Sequence, residues 1–168
     1  AFVQHMIAII NSNGRLGVVL PHGALFRGGA EGRIRKGLIE EDLLEAIIGL
    51  PSKLFYGTGI PACLMIVNKN KPKERKGKTF FIYGAKDYLE GKEQNKLRKK
   101  DIEKIVSVFR EYKSTAKYCR AVSLNEIQDN DHNLNITRYI DVTEEEEKVD
   151  IQKTVNELKK LKKEYRNT

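Results

Sequence analysis

Residues 50–68 read LPSKLFYGTGIPACLMIVN, a loop rich in glycine and proline that carries adjacent aromatics, Phe55 and Tyr56, and runs straight into an apolar stretch. The runs on either side of the loop, 43–49 (LLEAIIG) and 62–67 (ACLMIV), are short and bounded by turn residues. That is the pattern of strands buried on both faces. The loop leaves no room for a crossover helix, so the second strand is expected to return antiparallel to its neighbour. A loop holding aromatics between two buried strands is a common place to display binding residues.

Toward the N-terminus, 16–20 (LGVVL) reads as another short buried strand, followed by Pro21-His22-Gly23 and a helix over 30–40 (AEGRIRKGLIE). Strand, helix, strand is a βαβ unit, so 16–20 and 43–49 should run parallel. The fold class is therefore α/β: a mostly parallel sheet with one reversed strand near its edge. Ligands of such sheets bind at the carboxyl ends of the strands. The opening residues AFVQHMIAIINSNG suggest an amphipathic helix with Phe2, Met6, Ile9 and Ile10 on one side, ended by Asn13-Gly14. It has no start signal and no initiator Met, so the chain is expected to be a fragment of a longer protein.

Toward the C-terminus, NKNKPKERKGK (68–78) is a basic surface loop, TFFIY (79–83) a fourth strand and KEQNKLRKK (92–100) a second basic stretch. Asp101 is placed to cap a helix with Ile102, Ile105, Val106 and Phe109 on one face. A short extended segment follows at 121–124, then Asn- and Asp-rich turns as far as Asp141. From Thr143 to Tyr165 the chain reads as one long helix. Thr143 and Glu146 have capping-box spacing, and Ile151, Val155, Leu158, Leu161 and Tyr165 form an apolar stripe. The stripe suits either a helical partner or the chain's own domain.

Charge narrows the partners. With 31 basic and 23 acidic residues the net charge is +8, which favours nucleic acid, an acidic protein or an anionic surface. Two cysteines, Cys63 inside an apolar strand, fit a reduced cytoplasmic protein. No apolar run approaches the roughly 20 residues that span a bilayer. His5, His22 and His132 have no metal-ligand spacing with each other or with the cysteines. His22 either faces a ligand or is a structural residue of its turn. Arg27-Gly28-Gly29 precedes a helix but lacks a P-loop lysine, which disfavours a self-standing nucleotide-binding domain.

Phe55 and Tyr56 leave two readings open from physics alone. Either they stack on a base, or the loop folds over the core with Phe55 buried. Gly57 and Gly59 permit a tight turn in both.

Two stretches carry a resemblance. GRLGVVLPHGALFRGGAEGRIRKGLIEEDLLEAIIGLPSKLFYGTGIPACLMIVNKNK resembles the later half of the catalytic domain of the modification subunit of type I restriction–modification systems, which are adenine-N6 DNA methyltransferases. NDHNLNITRYID resembles the segment closing that domain. The resemblance implies a Rossmann-like methyltransferase fold, with 16–20, 43–49 and 62–67 similar to its fifth, sixth and reversed seventh strands. It also implies a division into 1–141, the C-terminal portion of the methyltransferase domain, and 142–168, a helical tail.

The family's glycine-rich S-adenosylmethionine motif and its Asn-Pro-Pro-Phe motif are not in this sequence. No catalytic or cofactor-binding residue is therefore expected here, and the chain by itself is expected to be inactive. What the resemblance places here is one wall of the pocket for an extruded adenine: Phe55 against the base, with Tyr56, Gly57, Thr58 and Gly59 shaping the wall. From charge alone, Arg27, Arg33, Arg35 and Lys36, or the loop 69–78, are candidates for DNA phosphates. The implied partners are double-stranded DNA, a specificity subunit and a restriction (nuclease–translocase) subunit. The competing reading is a non-enzymatic module for subunit assembly or DNA-backbone binding. A free edge on strand 16–20 is further expected to promote self-association.

Overall fold

A computed structural model describes residues 2–143; the tail helix read over 143–165 lies outside the described residues beyond Thr143. The elements in chain order are α1 (Phe2–Ile9), β1 (Arg15–Pro21), α2 (Gly29–Glu40), β2 (Leu44–Gly49), β3 (Ala62–Asn68), β4 (Lys78–Tyr83), α3 (Lys99–Glu111), β5 (Cys119–Ser123) and α4 (Leu124–Asp129). The strands form one sheet in the order β1-β3-β2-β4-β5.

β1 and β2 run the same way, as the βαβ pattern requires. They are not neighbours, because β3 lies between them and pairs antiparallel with both, Val18 opposite Met65 and Ile47 opposite Met65. β4 pairs parallel with β2, and β5 returns antiparallel to β4. The expected reversed strand is thus β3, and β5 is a second one, reached through α3 and a tight turn. β1 is an edge strand among the described residues.

Alternation along the strands sorts side chains to two faces. Leu44, Ile47, Met65, Val67 and Phe81 lie in one core, which α2 covers with Leu38 and Ile39 and the chain's closing segment with Leu134, Ile136, Tyr139 and Ile140. Ala46, Ile48, Phe80 and Ile82 lie in the other, under Ile105 of α3. The closing segment is pinned where Leu134 N–H donates to the Leu25 carbonyl at 2.9 Å and where the Tyr139 and Phe81 rings meet at 4.5 Å.

Three local expectations change. α1 turns Val3 and Ile7, not Phe2 and Ile9, toward the core. It ends at Ile9, short of Gly14. Asp101 is not the cap of α3 but sits three residues inside it, its carboxylate accepting from the Arg98 N–H at 2.9 Å and bridging the Arg98 guanidinium. The helix starts earlier than its apolar period because that pair closes the first turn.

Candidate base-binding site

The loop 50–61 joins β2 to β3 at the carboxyl ends of β1, β2 and β4. Its two legs are fastened and its tip is not. At the base, Leu50 N–H donates to the Ala62 carbonyl at 2.9 Å. From the β1 side, His22 N–H donates to the Pro61 carbonyl at 3.1 Å. From the segment after β4, Asn95 N–H reaches the Lys53 carbonyl at 2.8 Å, its side-chain amide reaches the Ser52 carbonyl at 2.9 Å, and Gln94 donates to the Leu54 carbonyl.

The tip that these ties hold out is aromatic. Leu54 turns toward the second core, Phe55 is 48% exposed and Tyr56 85% exposed. The open choice between a displayed and a buried Phe55 is therefore decided for display. Gly57 takes φ +73, a left-handed conformation that needs no Cβ, whereas Gly59 does not. Thr58 Oγ1 accepts from Ile60 N–H at 3.1 Å, so this hydroxyl shapes the loop. Phe26, Ile60 and Leu89 add exposed apolar surface on the segments at this end of the sheet. Sequence reasoning passed over Phe26, Leu89 and Asn95, since none stands in a motif or an apolar period.

His22 is half-buried beside these ties, and burial pushes its imidazole pKa down, which favours the neutral ring. Beyond β4, Asp87 accepts from the Tyr118 hydroxyl at 2.5 Å and pairs with Lys104 at 2.6 Å, so its carboxylate is engaged. Among the described residues no group of three potential ligands forms a metal site, and no helix is long and apolar enough to cross a membrane.

The basic residues sort by burial. Arg35 is a correction: only 6% exposed, its guanidinium donates to the carbonyls of His132 at 2.8 Å, Ala24 at 3.1 Å and Arg27 at 2.9 Å. It clamps the turn before α2 to the closing segment, and reaching a phosphate would break three buried hydrogen bonds. Arg27, Arg33 and Lys36 are exposed, with Glu31 3.9 Å from Arg27 and Glu40 3.6 Å from Lys36. The loop 69–78 is a second correction. It leaves β3 at the opposite end of the strands from Phe55. There Lys69 donates to the Ile10 carbonyl, and Lys71 is buried against Asp42 and the carbonyls of Leu44 and Lys78.

A family model described as N-6 DNA Methylase matches residues 1–148. The chain belongs to the N-6 DNA methylase family. This N-6 DNA methylase chain is 47% identical over 154 residues to the type I restriction enzyme MjaVIII methylase subunit of Methanocaldococcus jannaschii, covering 90% of the chain and 27% of that relative. It is 44% identical over 166 residues to the MjaVII methylase subunit of the same organism, covering 97% of the chain and 28% of that relative. Among solved structures it superimposes on the type I restriction-modification system methyltransferase subunit from Streptococcus thermophilus with a TM-score of 0.79 and 40% identity, covering 84% of the chain and 30% of that structure. The chain thus spans a little over a quarter of the length of these two curated relatives.

Proposed function

We propose that this protein supplies the base-holding wall of a DNA adenine-N6 methyltransferase, within the modification subunit of a type I restriction–modification enzyme. An enzyme that modifies a base has to extrude it from the duplex, and an aromatic face replaces part of the lost stacking. The observation that carries this reading is the display of Phe55 and Tyr56 at the carboxyl edge of the sheet, on a loop fastened from both sides. Phe55 stacks on the extruded adenine, Tyr56 forms the outer lip, and the Gly57–Gly59 turn sets how far the tip projects. Arg27, with Arg33 and Lys36 farther along α2, meets DNA phosphates.

S-adenosylmethionine is the methyl donor of this chemistry, but the described residues do not fit it. The turn after β1 is a short 3-10 segment, His22–Leu25, the turn after β2 is the aromatic loop, and Asp87 beyond β4 is engaged by Tyr118 and Lys104. The Gly28-Gly29 pair before α2 lacks the fuller dinucleotide-binding pattern, and Asp87 is not open to a ribose hydroxyl. In the assembled enzyme a specificity subunit selects the DNA site and a restriction subunit acts alongside.

The test is Phe55→Ala in the full-length subunit assembled with its specificity subunit. Stacking worth about 1–3 kcal/mol per base corresponds to roughly a five- to 150-fold fall in kcat/KM for methylation, with Phe55→Trp retaining most activity. Unchanged turnover on the cognate site rules this role out.

A further inference from the structure

We propose that the segment leaving β4, residues 84–100, is a DNA-backbone rail for the strand that gives up its base, with Lys92, Lys96, Lys99 and Lys100 meeting phosphates. The inference rests on reading the aromatic loop as the base slot. After β4 the chain makes a small hairpin in which Leu89 and Lys96 exchange backbone hydrogen bonds of 2.8 and 3.0 Å. Within its turn, Asn95 is buried and accepts from the Gly91 N–H at 3.3 Å. The outward donors of Asn95 go to Ser52 and Lys53, the leg of the aromatic loop that leads directly into Phe55.

Charge then separates from structure within the segment. From 90 to 100 there are five basic residues and two acidic ones, Glu90 and Glu93. Arg98 is committed to Asp101 and to the Tyr88 carbonyl, at 2.8 and 3.1 Å. The four lysines are exposed, with Glu103 standing 3.8 Å from Lys99. Lys99 and Lys100 open α3, where the helix dipole disfavours cations, so they do not serve helix stability.

The sheet order puts Arg27, after β1, on one side of the aromatic loop and this segment, after β4, on the other. β1 and β4 are three strand spacings apart, roughly 14 Å. That spans about four phosphates along one DNA strand. A nucleotide swung out at Phe55 would thus have its backbone held on both flanks, and Asn95 makes the rail and the slot one rigid unit.

The experiment measures binding of the full-length subunit, assembled with its specificity subunit, to a labelled duplex of arbitrary sequence across a salt series. Lysine-to-glutamine substitution at 92, 96, 99 and 100 together is expected to reduce the slope of log K against log salt by about 0.9 per lost contact, about 2 to 4 in all. Lys73→Gln/Lys76→Gln, at the opposite end of the strands, is expected to leave the slope unchanged. An unchanged slope in the fourfold variant, or equal loss in both variants, overturns the rail. The slot has a separate readout: Phe55→Ala acts on methylation and on the fluorescence of 2-aminopurine placed at the target adenine, at constant salt slope. Either reading can therefore fail alone.

Discussion

The side-chain amide of Asn95 donates to the Ser52 carbonyl at 2.9 Å, across a gap of 43 residues in the chain. Together with the bond from its own N–H to Lys53, this makes Asn95 the tie between two loops that share no strand. Asn95→Ala takes the amide donor from the carbonyl of exposed Ser52 and the Oδ1 acceptor from the Gly91 N–H, which costs about 0.5–1.5 kcal/mol per bond. Because the core elements are untouched, the expected signature is local. Amide hydrogen exchange over 50–59 should accelerate while exchange in β2 and β4 stays slow, and equal acceleration in the strands would contradict a purely local role.

Glu45 sits fully buried in β2, at the bulge where the pairing with β3 shifts register between Leu44 and Ala46. Its carboxylate accepts from Arg75 at 2.8 Å, from Arg15 at 2.9 Å and from the Asn68 amide at 2.9 Å, while Arg75 stacks 4.4 Å from the Tyr112 ring. Glu45→Gln strands the Arg75 charge and is expected to cost about 3 kcal/mol by denaturant unfolding. A replacement of both Glu45 and Arg75 by apolar residues should recover much of that loss. If the single variant unfolds like the parent, the network is not what holds 69–78 against the sheet.

β1 presents a free backbone edge among the described residues, and Val19 on it is 48% exposed. Such an edge is a template for pairing with a second copy. The chain is expected to self-associate as its concentration rises, and Val19→Lys to shift it toward monomer by light scattering. A parent chain that stays monomeric at high concentration contradicts this.

Three tyrosines set the alkaline limit of the fold. Burial pushes Tyr112 and Tyr139 up from 10 to about 12, and burial together with donation to Asp87 raises Tyr118 as well. A group whose pKa is higher in the folded state holds its proton there after the unfolded chain has lost it. The stability it contributes is complete below pH 10 and falls as pH rises toward 12. Absorbance titration should show these phenolates appearing together with loss of secondary structure. Ionisation of all the tyrosines near pH 10 without unfolding would refute the assignment.

Much of the frame was legible because it rests on local pattern. The apolar runs of β1 to β4 and the helix between β1 and β2 follow from side-chain periodicity and turn residues, and each strand was read to within a residue or two. The antiparallel return of β3 followed from the length of the loop before it. The closing segment 130–141 was legible only as a resemblance, since its turns carry no period. The amphipathic face of α1 was misread because two faces of that helix are apolar and only contact with the sheet chooses between them.

The amino-acid sequence by itself determined that this is an α/β chain with an aromatic, glycine-bearing loop between two buried strands, since periodicity and turn chemistry act over a few residues. Only the tertiary structure decided that β3 slots between β1 and β2, that Arg35 and Lys71 are interior fasteners, and that Asn95 holds the aromatic loop. Each of those outcomes is made by hydrogen bonds or pairings between residues far apart in the chain, and whether a charge is buried or left to meet a ligand depends on which distant carbonyl or carboxylate folding brings beside it.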